Sequence, residues 1–425
     1  MTELDWIGVS LAAARPRAIG ALLRYFRDLD TAEEAFQEAS LRALKTWPLK
    51  GPPRDPCAWL IFVGRNASLD ETRRRSRQRQ LPSEQTISDL DDVETGMAER
   101  LDDRHYRDDI LRLLFICCHP DLAAAQQIAL ALRVVSGLSV KEIARAFLVG
   151  ESAMEQRITR AKRRVAAASL PYGPPDPAER LERLGVVSAM VYLLFNEGYA
   201  ASGGTAHIRL PLCEEAIRLA RLLLELFPGE AEIMGLVALL VLQHARSTAR
   251  LDADGAIVLL EDQDRTLWDR TGIAEGTVLI EKAMRHRRPG PYQIQAAIAA
   301  VHAAARRAED TDWREIDALY AALERLRPSP VVTLNRAVAM SHLAGPEAAL
   351  AMIEPLGGAL DNYFHYHGVR GALLKQLGRK DAARACLERA LTLAGTVAEA
   401  AHIRGEIDRL DEPAPDRQAI AADRL

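Results

Sequence analysis

LSVKEIARAFLVGESAMEQRITRAKRRV, running from Leu138 to Val165, is the stretch whose reading decides the fold. Ser139 followed by Glu142 is a capping box, in which the serine meets the backbone three residues on and the glutamate reaches back. A helix is therefore predicted from Val140, with Ile143 and Ala144 inward. The pattern breaks over Phe147 to Gly150. Ser152 followed by Glu155 reads as a second capping box. In the helix it opens, Met154, Ile158, Ala161 and Val165 recur at steps of four, three and four, making one apolar stripe. Gln156, Arg157, Thr159, Arg160, Lys162, Arg163 and Arg164 cover the other side. Two short helices joined by a tight turn, the second basic outside, have the form of a helix-turn-helix that lies in a DNA major groove. On these residues alone an ordinary solvated helix pair is equally open, and a capping Glu155 would fold back on its own backbone.

The whole chain bounds the answer. Of its 425 residues 48% are hydrophobic and only 5% aromatic, and Ala, Leu and Arg abound, so it reads as an all-α globular protein long enough for several domains. A net charge of −4 supplies no global basic field, so any nucleic-acid site must be local. Five cysteines, an odd number without a disulfide framework, point to reduced thiols. MTELDWIGVS lacks the charged and apolar blocks of a signal peptide, and the longest apolar run, near Leu236 to Leu242, is too short to span a bilayer. A soluble cytoplasmic chain with no membrane contact is expected.

Residues 10 to 47 read as two helices. The second is predicted to start with a capping box, Thr31 to Glu34. It sets Glu34, Gln37, Glu38, Leu41 and Lys45 on one face and Ala32, Phe36, Ala39, Ala43 and Trp47 on the other. Next comes WPLKGPPRDPCAWLIFVGRNASLDETRRRSRQRQ, Trp47 to Gln80. Its four prolines and Gly51 force an extended loop, and a helix is predicted from about Ala58 with Trp59, Leu60, Phe62, Val63 and Leu69 inward. It ends in Arg73, Arg74, Arg75, Arg77 and Arg79, five arginines in seven residues. Such a cluster beside an aromatic, proline-bounded loop can clamp a phosphate backbone, and a solvated charged face is the plainer alternative.

Leu81 to Asp109 is acidic and polar, the composition of a linker. Ile110 to Val135 reads as two apolar helices containing Cys117, Cys118 and His119. With no second Cys/His cluster at ligand spacing these are packing residues, and no metal site is expected. PYGPPDP, Pro171 to Pro177, is the clearest boundary. Beyond it LAGPEAAL from Leu343 and LGRKDAAR from Leu377 stand 34 residues apart, with Ala348 and Ala382, Ile353 and Leu387, and Arg336 and Arg370 matching at that offset. This is the period of tetratricopeptide (TPR) helix pairs, which stack into an α-solenoid with a partner-binding groove. FNEGYAASGG, Phe195 to Gly204, with Glu197 and Tyr199, and His365 and His367 in YFHYH tempt an enzymatic reading, but helix ends and packing explain them. No HExxH, P-loop, GxSxG or dinucleotide fingerprint occurs.

TAEEAFQEASLRALKTW, AWLIFVGRNASLDETRRR and the Leu138 to Val165 pair, in this order and spacing, resemble regions 2 and 4 of an extracytoplasmic-function (ECF, group IV) sigma factor of bacterial RNA polymerase. With FNEGY, the CCHP run and the helical tail, the chain resembles the subgroup with a C-terminal tetratricopeptide-like extension. The resemblance implies region 2 over residues 1–80, an acidic linker over 81–109, region 4 over 110–170, a helical TPR-like extension over 171–412 and a tail over 413–425. It implies a non-enzymatic initiation factor that uses no cofactor, and whose partners are core RNA polymerase and promoter DNA. A regulatory protein of the DGPF/YCII type, or a ligand, would occupy the solenoid.

Glu33, Glu34, Gln37, Glu38 and Leu41 would dock on the clamp helices of the polymerase. Lys50, Arg54, Arg65, Asn66, Asp70, Arg73 and Arg74 would open and hold the −10 element. Glu155, Gln156, Arg157, Thr159 and Arg160 would face −35 bases, and Lys162, Arg163 and Arg164 the phosphates. Glu155 departs from the family pattern, where a basic residue is frequent. Two other readings stay open: a DNA-binding regulator with a TPR-type sensor, and an enzyme with a pocket in the helical half around Glu197, Tyr199 and the late histidines.

Overall fold

The computed structural model describes residues 5–51, 53–76, 103–147, 149–167, 177–199, 210–253 and 255–411. These form helices throughout, with one isolated bridge between Leu251 and Ile257 and no β-strand among the described residues. The all-α expectation holds. The linker stretch 81–102, most of the Pro171 to Pro177 boundary, Ala200 to Gly204 and the tail 413–425 lie outside the described residues. The chain divides into two compact units, residues 1–194 and 195–425.

The first unit opens with α1 (Asp5–Phe26), α2 (Leu29–Lys50) and α3 (Pro56–Ser76). The α1–α2 corner is set by Arg27 at φ 55° and by Asp28, whose carboxylate accepts from Thr31 N at 2.8 Å and Thr31 Oγ1 at 2.6 Å. Asp28 is thus the cap, and α2 begins at Leu29, before the predicted Thr31–Glu34 box. The aspartate binds the orphan amide of the first turn more directly than the threonine does. Asp55 likewise caps α3 through Cys57 N and Ala58 N, so that helix begins two residues before Ala58, at Pro56. Phe36 and Trp47 are buried on the predicted inner face of α2, each contributing roughly 2–3 kcal/mol. Trp47 meets Trp6 and Trp59 at centroid distances of 6.0 and 5.4 Å. The α2–α3 crossing is close: a Cβ on Gly64 would stand 2.8 Å from Ala35 O, so only glycine fits.

The second set is α4 (Asp103–Cys117), α5 (Ala124–Val134), α6 (Val140–Ala146) and α7 (Glu151–Ala167). Helix α4 begins inside the stretch read as linker. Its Asp109 is 2% exposed and paired with Arg24 of α1 and Arg112, because it falls on the side of α4 that packs against α1. The Ser139–Glu142 capping box forms as predicted, with Ser139 N donating to Glu142 Oε2 at 2.7 Å and Glu142 N to Ser139 Oγ at 3.2 Å. The Ser152–Glu155 box does not. Val149 N closes α6 on Ala144 O, and Gly150 O accepts from Met154 N, so α7 starts at Glu151 with Ser152 already inside it. Met154, Ile158, Ala161 and Val165 are buried as the stripe predicted.

Helix α8 (Pro177–Tyr199) carries the division between units. In the second unit follow α9 (Leu210–Leu226), α10 (Ala231–His244), α11 (Arg270–Met284), α12 (Pro291–Ala304), α13 (Trp313–Leu326), α14 (Pro330–Ala344), α15 (Pro346–Ile353), α16 (Gly357–Leu360), α17 (Phe364–Gln376), α18 (Lys380–Leu393) and α19 (Val397–Asp411). Helix α10, AEIMGLVALLVLQH, is apolar all round and lies against α9, α11 and α12, which makes it the core of this half. The 34-residue offset has a structural counterpart: Pro330 and Phe364 open α14 and α17, and Pro346 and Lys380 open α15 and α18. Ala349 and Ala383, at the same offset, are both fully buried, as are Ile353 and Leu387. Small residues at that period let successive helices approach, and from α13 onward each helix packs mainly on its sequence neighbours.

Candidate nucleic-acid interface

The outer face of α2 is open to solvent. Glu34, Gln37, Glu38 and Leu41 are all exposed, Leu41 at 54% and the neighbouring Leu44 at 52%, while Glu38 pairs with Arg42 at 3.1 Å. With Asp28 as the cap, Glu34 does not fold back and its carboxylate faces outward. Glu33 is different. It is 4% exposed and lies between Arg15 Nη2 at 3.2 Å and Lys162 Nζ at 2.5 Å.

Of the −10 set, Lys50, Arg54 and Arg65 are exposed and Asn66 is half-buried; the Arg65 guanidinium lies 4.3 Å over the Tyr25 ring. Asp70, Arg73 and Arg74 fall on the backbone of α3, and their side chains lie outside the described residues. The loop residues Lys50 and Arg54 thus precede α3, Arg65 and Asn66 lie midway along it beside Tyr25, and Asp70, Arg73 and Arg74 lie toward its far end.

On α7, Glu155, Gln156, Thr159, Arg160, Arg163 and Arg164 are exposed and Arg157 is half-buried. Because α7 starts at Glu151, Glu155 is freed from capping and projects with the others. Arg164 donates to Asp121 O at 2.9 Å, and Arg160 to Gln156 O at 3.2 Å. Lys162 leaves this group. Its ammonium lies 2.6 Å from Asp30 and 2.5 Å from Glu33. Burial works to lower its pKa, and the attraction of Glu33 and Asp30 outweighs that, holding it above the ordinary lysine value.

Sequence reading missed Arg15. It crosses from α1 to the end of α5, where Nε donates to Val134 O at 3.0 Å and Nη2 to Arg133 O at 3.2 Å, closing a helix C-terminus with a cation. Burial lowers its pKa, opposed by Glu33. A signal was present: Arg15 shares the helical face of Ile19 and Leu22, both fully buried, and a lone charge in an apolar stripe needs a buried partner.

The other residues singled out are structural. Cys117 and Cys118 are buried free thiols; burial pushes Cys117 well up and Cys118 to about 12. Tyr199 stacks on Phe195, receives a hydrogen bond from Arg246 and lies under Arg250, which also donates to Tyr199 O. His367 sits on Asp361 O at 2.8 Å. Among the described residues no three His, Cys, Asp or Glu side chains gather as a metal site, and no helix is long and apolar enough to cross a membrane.

The exposed acidic helix, the arginine-bearing helix and the basic second helix of a helix-turn-helix all fall in segments that match sigma-70 regions. Sigma-70 region 2 matches residues 11–78 and sigma-70 region 4 matches residues 112–165; residues 183–284 match a family of unknown function, DUF6596. Regions 2 and 4 are the parts by which a sigma factor directs promoter-specific transcription. The chain belongs to one family with a protein of Rhizobium meliloti (strain 1021) described as uncharacterised, 66% identical over 415 residues, which are 97% of this chain and 98% of that one.

Proposed function

We propose that this protein is an alternative sigma factor of the extracytoplasmic-function type, acting in the cytoplasm. In this reading Glu34, Gln37, Glu38 and Leu41 dock on core RNA polymerase. The α3 end with Arg65, Asn66, Asp70, Arg73 and Arg74, and the loop with Lys50 and Arg54, hold the −10 strand. Glu155 to Arg160 read the −35 element while Arg163 and Arg164 meet phosphates. The observation that carries the reading is one chain holding an exposed acidic docking face on α2 and an exposed basic reading face on α7, both within segments matching sigma-70 regions 2 and 4. No step of bond chemistry is its own.

The second unit acts as a tetratricopeptide-like regulatory extension, its groove open to a small protein partner or ligand. The 34-residue recurrence of α14–α15 in α17–α18 supports this.

Size-exclusion chromatography of the full chain with purified core polymerase tests the reading. Co-elution, lost in the Glu34→Lys/Glu38→Lys variant, is expected; separate elution of the unaltered chain would overturn it. A chain ending at Leu194 reads the sign of the regulation. More transcription than full length makes the second unit an inhibitor, less makes it an activator, and equal transcription removes its regulatory role.

A further inference from the structure

Arginines of the second unit gather where no acid meets them. Arg246 and Arg250 follow α10, Arg265 precedes α11, and the three surround Trp268 and Tyr199, the last residue of α8. The Arg250 guanidinium lies 3.8 Å over the Tyr199 ring and donates to Tyr199 O, while Arg246 Nη2 donates to Tyr199 Oη at 3.3 Å. Arg265 stands 4.9 Å and Arg246 5.9 Å from the centre of the Trp268 ring. Among the described residues none of the three arginines forms an ion pair with a carboxylate. Asp310, which attracts Arg265, is exposed and pairs with Arg307. Burial lowers the pKa of Arg250 and of Arg265, and Arg246 repels both.

The three are not equivalent. Arg265 and Arg250 rest on carbonyl oxygens at helix ends, which offsets part of their charge. Arg246 meets no carbonyl. Its side chain makes one hydrogen bond, to Tyr199 Oη, and its Nε is buried with no acceptor. Two neighbours repeat the pattern: Trp268, 2% exposed, has no acceptor for Nε1, and Arg265, 6% exposed, has none for Nε. Buried donors left unmet beside uncompensated guanidinium groups are costly, and the group that relieves them carries several acceptor oxygens and more than one negative charge. A phosphate monoester has both, with three acceptor oxygens and a charge of roughly −1.5 to −2 near neutral pH, whereas a carboxylate brings a single charge. Tyr199, Arg246 and Arg250 are half-buried, so the cluster is open to solvent on their side.

We propose that Tyr199, Arg246 and Arg250, backed by Trp268, bind the phosphate group of a small ligand. The proposal rests on the reading of the second unit as a ligand-bearing extension and is independent of the sigma assignment of the first. Arg246 and Arg250 supply the charge, and the Tyr199 hydroxyl, which accepts from Arg246, has its own proton to donate. Arg246 is the residue whose role is binding alone, because it closes no helix end.

The test is isothermal titration calorimetry of the full chain in chloride buffer. Inorganic phosphate should bind at a single site, and acetate at matched ionic strength should bind on the order of tenfold more weakly. Arg246→Met should weaken phosphate on the order of tenfold, while Arg285→Met, which removes an exposed arginine at the end of α11, should leave it unchanged. Glycerol 3-phosphate in a parallel titration assigns an esterified ligand if it binds more tightly than inorganic phosphate, and free phosphate if it does not. Urea melts without phosphate separate binding from folding: Arg246→Met should be as stable as the unaltered chain or more so. Phosphate that does not bind, acetate that binds equally well, an Arg246→Met chain of unaltered phosphate affinity, or one that is clearly less stable overturns the site. Phosphate binding that leaves promoter-directed transcription unchanged supports the site and counts against the regulatory role of the second unit alone.

Discussion

The two units of this chain bury polar side chains in different ways. In the first, Glu33 and Asp109 enter ion pairs with helices distant in sequence, and Arg15 both pairs with Glu33 and closes the end of α5. In the second, buried charges close helix ends. Arg265, 6% exposed, donates to His302 O at 2.8 Å and Ala305 O at 2.7 Å, and Glu232 accepts from Tyr292 N at the start of α12. The difference separates contacts that can be exchanged from contacts that cannot. A lysine can trade a carboxylate for a phosphate; a guanidinium capping a buried helix terminus has no substitute once removed.

Removing the capping arginine should therefore have the largest effect. Arg265→Met leaves two buried carbonyls and Thr311 Oγ1 unmet, and should cost the second unit about 4 kcal/mol in urea unfolding. Glu33→Ala should cost the first unit about 3 kcal/mol, at the lower end for a broken buried pair because Lys162 keeps Asp30 and Arg15 keeps its carbonyls. A loss under about 1 kcal/mol would show that the Glu33 site is solvated and would erase the contrast between the units.

The pH response should also differ. His302 is 9% exposed, and burial, then Arg246, Arg265 and His342, lower its pKa to about 4. The unfolded chain binds its proton first, near pH 6.5. Stability from this group is therefore complete above that pH and declines as pH falls from about 6.5 to about 4, by roughly 2–3 kcal/mol. His244 and His402 shift in the same direction, both chiefly through burial. Urea melts of the second unit across this window should show the slope, and His302→Gln should reduce it.

Smaller effects belong to the exposed faces. Arg157→Ala should relax discrimination at one −35 position by about 2 kcal/mol, read by competition binding with the polymerase complex, while Arg74→Ala should weaken all promoters evenly. Glu34→Ala should leave stability within about 0.5 kcal/mol and still weaken polymerase binding, whereas Glu33→Ala reverses that order.

Much of the fold was legible because it rests on local rules. The Ser139–Glu142 box, the α7 stripe and the inner face of α2 follow from capping and a 3.6-residue period. Two cap assignments failed because neighbouring residues, Asp28 and Gly150, took the position first. What the sequence could not show was pairing at a distance. Glu33 and Glu34 are adjacent acids in one motif, and the approach of Arg15 and of Lys162, 129 residues away, separates a buried carboxylate from an exposed one. Lys162 for its part reads as one of five cations on a single basic face. Arg15 and Asp109 carried a weaker signal, a charge inside an apolar helical face, that names a need for a partner without naming the partner.

The central claim, that the chain reads promoters in two places on behalf of core polymerase, is tested most directly by start-site mapping. The full-length chain and purified core polymerase transcribe fragmented genomic DNA, and 5′ ends are sequenced. The account predicts start sites absent with core alone, sharing paired −35 and −10 sequences, and abolished by Glu34→Lys/Glu38→Lys. A start-site map identical to that of core polymerase alone would contradict it.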